Sequence, residues 1–171
     1  MKIASCIFIF FFLTSCARKN ETREISDADI IDGLTLEGDS IRLPSFDIEI
    51  SLSDKAEKKL SNANETIIVQ AYLSGTPKDS VVSNLIDEMG EVNLGSSRVE
   101  LNKPGNAHFE GAKISTKAYS ILKEKDFQVL INVFSGRRSS ESNLIECEIL
   151  QETITNIKAK KHTLKGKLIG E

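Results

Sequence analysis

Tryptophan is absent from this chain of 171 residues, histidine occurs twice, and proline and cysteine three times each. Each scarcity narrows the functions open to it. Aromatics make up 6% of the chain, so the ring platforms that sugar sites favour are in short supply. His108 and His162 leave acid–base and metal chemistry few carriers. Positive charge is not in excess, with 22 Lys and Arg against 25 Asp and Glu. Nucleic-acid affinity rests largely on neutralised phosphates, so this balance argues against a nucleic-acid partner. The longest apolar run, Ile3 to Leu13, has 11 residues, short of the roughly 18 that mark a membrane-spanning helix.

What is present at the start is informative. Lys2 precedes the apolar run "IASCIFIFFFL", and the run passes through Leu13, Thr14 and Ser15 directly into Cys16. A short positive start followed by an apolar run of this length has the form of an export signal. The stretch "LTSC" resembles the lipobox of bacterial lipoproteins: an aliphatic residue, two small ones, then a cysteine. The resemblance covers residues 1–16. It implies cleavage before Cys16, lipidation of that residue, and a protein that stays on its membrane. Two acyl chains suffice for stable attachment where one gives only marginal binding. In Gram-negative members an Asp after the cysteine favours the inner membrane; Ala17 stands there, which implies the outer membrane, facing the periplasm.

Removing residues 1–15 leaves 21 basic against 25 acidic residues, a net charge of minus 4. It also leaves Cys147 without a disulfide partner, so the exported domain depends on its core for stability. The polar, acidic segment 16–40 lacks sustained periodicity and reads as a flexible tether, with residues 41–171 forming the domain. Within it "DADIIDG" fails as a calcium loop, because Ile31 occupies a ligand position and Gly38 stands where a glutamate belongs. Seven acids lie between Glu21 and Asp39, and five lysines between Lys158 and Lys167; both runs read as solvated faces.

Beyond Ser40 the dominant period is two. Phe46, Ile48, Ile50 and Leu52 alternate with Asp47, Glu49 and Ser51, a half-buried strand. The segment from Ile67 to Ser74 alternates likewise, and that from Phe127 to Phe134, apolar on both faces, suits the centre of a sheet. Apolar parity changes between Leu94 and Val99 across "GSS", and between Phe109 and Ala112 across Gly111, which predicts β-bulges or breaks. A hairpin is expected around Pro104 and Gly105. A second should join Phe127–Phe134 to Leu144–Leu150, with Ile145, Cys147 and Ile149 inward, and "TLKGKLI" gives a last strand. Helices are expected over Asp54–Ala63 after Ser53, over Val81–Met89, and over Thr116–Lys125 after Ser115. The fold class is therefore mainly β: an antiparallel two-sheet β-sandwich of immunoglobulin or transthyretin type with short helical insertions.

Motifs of catalysis are incomplete. His108 and Glu110 spell H-x-E without a following P-C-x-x-C, and Ser120 and Lys123 spell S-x-x-K without its companion motifs. Cys147 lies between Glu146 and Glu148, which disfavour a thiolate, and its parity points it inward. No catalytic residue, metal or cofactor is assigned. The loop "SGRRSSESN" is the candidate partner-binding surface, with Arg137 and Arg138 suited to carboxylates and Ser139 and Ser140 to hydrogen bonds. Over roughly Glu65 to Arg138 the organisation resembles the small sandwich lipoprotein of the type VI secretion membrane complex: an "IIVQAYL"-like strand, a hairpin around P-G, then a strong late strand. No functional residue carries over. The expected function is a non-catalytic protein-interaction module, anchored through Cys16 and bound to an envelope protein; the alternative is a periplasmic ligand-binding or glycan- or lipid-acting protein.

Overall fold

The computed structural model describes residues 25–26, 30–79 and 81–171; Cys16 and the lipobox-like stretch lie outside them. In chain order the described residues form β1 (Thr35–Glu37), β2 (Ser40–Arg42), β3 (Phe46–Leu52), α1 (Asp54–Asn62), β4 (Ile67–Gly75), β5 (Val92–Leu101), β6 (Gly105–Phe109), β7 (Lys113–Ser115), α2 (Thr116–Ser120), β8 (Gln128–Ser135), β9 (Ile145–Cys147), β10 (Leu150–Thr153), α3 (Ile154–Ala159) and β11 (His162–Leu168). The helices begin where a side-chain oxygen can satisfy a free amide of the first turn. Ser53 accepts from Ala56 N–H, Ser115 from Lys117 N–H and Thr153 from Asn156 N–H.

Two four-stranded sheets face each other as a β-sandwich, one ordered β10-β8-β4-β5 and the other β6-β3-β11-β9. Alternation sends Ile48, Ile50, Val69, Ala71, Val129, Ile131 and Val133 into one shared core. β8 sits between β10 and β4, the central place its two-sided apolarity predicts. One pairing departs from an antiparallel sandwich: β11 runs parallel to β3. α3 makes it possible, carrying the chain from β10 in one sheet across to β11 in the other.

A third, smaller sheet, β1-β2-β7, grows out of the second. β3 with β6 and β2 with β7 are antiparallel, and Phe46↔Phe109 and Ile41↔Ile114 belong to one unbroken register. Leu43 N–H donates to Ala112 O at 2.8 Å at the join. The parity change at Gly111 is thus a coordinated break of a two-stranded ribbon; a bulge would have shifted the register. Gly111 permits it, since a Cβ there would stand 2.1 Å from Leu43 O. Phe46 and Phe109 close the near side with rings stacked 4.8 Å apart. Between β4 and β5 the register does shift, opposite Leu94 and Gly95, and that change of parity is a bulge.

Several local expectations are corrected. β5 pairs with β4 and β6 with β3, so Pro104–Gly105 crosses between sheets and closes no hairpin; one feature of the type VI likeness goes with it. β8 pairs with β10 and not with β9, which joins the other sheet beside β11. The chain changes sheets at Glu148–Ile149, which turns Ile149 outward at 67% exposure. Val81–Met89 forms turns without a helix, and Val82 and Met89 are 100% and 89% exposed. The expected tether runs too far, because Thr35–Glu37 is a strand and Ile30, Ile31 and Leu34 pack on the core. Apolar residues at 30, 31, 34 and 36 are sparse but sufficient to seat that segment.

The ribbon break gives a test of its packing. Gly111→Ala is expected to lower unfolding free energy by about 1–3 kcal/mol, the usual cost of overpacking, while Glu110→Ala beside it changes little; denaturant unfolding of both variants checks this.

Candidate functional site

The loop that follows β8 is held down by a buried carboxylate. Glu65 immediately precedes Thr66 and β4, and its side chain is 3% exposed. One oxygen accepts from Thr66 N–H at 3.0 Å. Arg138 N–H reaches both oxygens at 3.0 Å, and Ser139 donates its N–H and its hydroxyl to Oε2, each at 2.9 Å. Burial alone would raise this pKa; the amides of Ser139 and Arg138, the Ser139 hydroxyl and the Thr66 amide outweigh it and hold the group at about 2. Gly136 lets the chain approach so closely, for a Cβ there would lie 2.0 Å from Thr66 Oγ1.

A second carboxylate extends the clasp to β5. Glu100 Oε1 accepts from the Thr66 hydroxyl at 2.6 Å and from Arg138 Nη2 at 2.8 Å. The Thr66 bond first, and the Arg138 guanidinium after it, lower the Glu100 pKa against a partial desolvation. Farther round the loop, Asn143 Oδ1 accepts from Ser135 N–H and the Ser135 hydroxyl from Leu144 N–H. Of the four residues expected to meet a partner, Arg138 and Ser139 therefore spend polar groups inside the chain. Ser140 Oγ accepts from Ser142 N–H at 3.3 Å. Arg137 is exposed at a φ of 58° and makes no side-chain bond to the described residues.

The other distinctive surface is the outer face of β10-β8-β4-β5. Register places Gln151, Leu130, Tyr72 and Ser96 in one row across all four strands. Thr153, Gln128, Ser74 and Asn93 make the next row. The turns of residues 81–91 rise beside these rows, and Met89, Asp87 and Glu91 border a groove of about 560 Å³. Asp87 is committed to its own turn, its Oδ1 accepting from Met89 and Glu91 N–H at 2.9 and 3.0 Å. The opposite end of this face is covered: Ile68, flanked in register by Glu100 and Phe134, is buried outside the shared core. Tyr72 at the open end is 45% exposed.

Comparison with family models, with curated proteins and with solved structures finds no match.

The remaining sequence candidates fall elsewhere. His108 Nδ1 meets Asp47 Oδ1 at 2.8 Å on the outer face of the second sheet, and Asn106 donates to the same oxygen at 2.8 Å. Asn106 first and His108 next lower the Asp47 pKa. Cys147 is half-buried, and burial first and the Glu148 charge second push its thiol up to about 11. Among the described residues no group of His, Cys, Asp and Glu is placed to hold a metal ion. The lysine run divides its duties, Lys158 donating to Asp32 O at 2.5 Å and Lys167 lying 3.3 Å from Glu146. Sequence reasoning passed over Glu65 and the Tyr72 face; the only local sign of the latter was a tyrosine at an outward position among polar neighbours.

Glu65→Gln is expected to cost about 2–3 kcal/mol at neutral pH, the range for lost hydrogen bonds to a charged, buried group. Because the folded pKa lies below the unfolded value of 4.5, this contribution is complete above pH 4.5 and is lost as pH falls toward about 2. Unfolding curves of both proteins across that window should converge.

Proposed function

We propose that this chain is a lipid-anchored, non-catalytic binding module of the bacterial envelope, held by Cys16 on the periplasmic face of the outer membrane, and that it works through the outer face of β10-β8-β4-β5. The lipobox-like "LTSC" supports the anchor, and Ala17 the membrane. No helix among the described residues is long and apolar enough to cross a membrane, so a lipid on Cys16 is the attachment this reading requires.

The uncharged floor of the groove is the observation that carries the binding role. Charged residues make up 27% of the chain, yet the eight positions of the two rows hold none. The floor sets apolar Tyr72 and Leu130 among convergent amides and hydroxyls, and placed polar groups of this kind are what fix a ligand's orientation in a site. The second reading keeps the module and makes its target an envelope protein; the exposure of Tyr72 and Met89 favours it, since aromatics and methionine are enriched at protein interfaces. In that reading Arg137 is the loop residue left to add a contact.

Fractionation of cells grown with a labelled fatty acid tests the anchor. The native chain should sediment with membranes and carry label, whereas Cys16→Ser should be unlabelled and leave the membrane fraction; a Cys16→Ser protein still held in the membrane contradicts the reading.

A further inference from the structure

The polar groups on the floor of the groove are amides and hydroxyls, with the carboxylates of Asp87 and Glu91 on its border. Ser74, Ser96, Gln128 and Gln151 each carry a hydroxyl or amide that can donate and accept at once, and none of the four side chains makes a hydrogen bond to the described residues. Beside them Tyr72 and Leu130 are adjacent in register at the middle of the row, with Met89 as an apolar lip. We propose that this groove binds a neutral oligosaccharide, with Tyr72 as the ring on which a sugar's C–H face rests and the four unpaired side chains as partners for its hydroxyls. The assignment rests on the binding-module reading and names its ligand class.

Competing chemistries fit less well. An anion would meet no lysine or arginine in the lining, and it would face the carboxylates of Asp87 and Glu91. An acyl chain would leave the amides and hydroxyls desolvated without partners, which is costly. An extended peptide gains most of its affinity from an open strand edge; the middle of this floor offers none, because β4 and β8 are each paired on both sides, and edges occur only at its margins on β5 and β10. Sugar hydroxyls need no strand edge. The row from Gln151 to Ser96 crosses three interstrand spacings, about 14 Å, room for a short chain of sugar units rather than one. Aromatics are few in the sequence, but the fold spends them unequally: Tyr119 is fully buried and Tyr72 is presented to solvent.

The test uses the full chain, purified in a detergent without a sugar headgroup, and calorimetric titration with neutral hexasaccharides of glucose, mannose, galactose and N-acetylglucosamine in α and β linkages. At least one should bind. Tyr72→Ala should weaken that binding about tenfold or more, while Tyr72→Phe, which keeps the ring, stays within about threefold. Gln128→Ala and Gln151→Ala should each weaken it, with melting temperatures unchanged because these groups hold nothing within the fold. Binding by none of the panel, or binding indifferent to Tyr72→Ala, overturns the assignment. A protein partner whose capture depends on Tyr72, with the whole panel silent, also overturns it while sparing the binding-module reading; silence in both experiments overturns both.

Discussion

The carboxylate of Glu65 is the fixed point around which this domain's surfaces are arranged. A buried anion is tolerable only when its lone pairs are filled, and Glu65 fills them with backbone and hydroxyl donors from a loop more than seventy residues away. That demand pulls Arg138 and Ser139 onto the end of β4. Thr66 and Glu100 then carry the fastening to the edge strand β5. The loop that looked most available for recognition is thereby drawn into the fold.

Fastening the loop also divides the outer face of its sheet. At the Glu100 end, Ile68 is sealed from solvent. At the other end the face lies open beneath the turns of residues 81–91. The two outer faces of the sandwich differ in kind. Across β6-β3-β11-β9 the outward positions include Asp47, Glu49, His108, Glu146, Lys165 and Lys167, many of them in mutual ion pairs, an ordinary solvated surface. At the open end of β10-β8-β4-β5 they are amides, hydroxyls and apolar groups, and the charges of this face, Arg98 and Glu100, lie farther along β5 toward the fastened loop. Only the open end, where Ser74, Ser96, Gln128 and Gln151 make no side-chain hydrogen bond to the described residues, is left uncharged, and the proposed binding role uses that end.

Strand positions were legible wherever alternation was strict, because side-chain period depends on nothing beyond the strand itself. Phe46–Leu52 and Ile67–Gly75 are such cases, and Ser53 and Ser115 announced their helices by capping chemistry. Partner choice was not legible. Sequence neighbours made β5 with β6, and β8 with β9, look like hairpins, yet each pair is split between sheets by long-range packing that no local pattern encodes. The stripe of Val81, Leu85 and Met89 had helical spacing, yet Leu85 packs on the core while Met89 stands in solvent, and spacing alone does not make a helix. Ile149 misled in the same way, its parity cut off by the turn that follows β9. The break at Gly111 was visible as a parity change; that it spares the register was visible only once both strands were paired. Glu65 gave no sign, since its role is defined entirely by what the loop brings to it.

Residue-resolved amide hydrogen exchange of the native protein tests the fastening most directly. The account predicts that the N–H groups of Arg138 and Ser139, in a loop exposed by every other measure, exchange far more slowly than those of Ser140 and Glu141, and that Glu65→Gln removes the difference. Exchange of all four at the rate of an unstructured loop would contradict it.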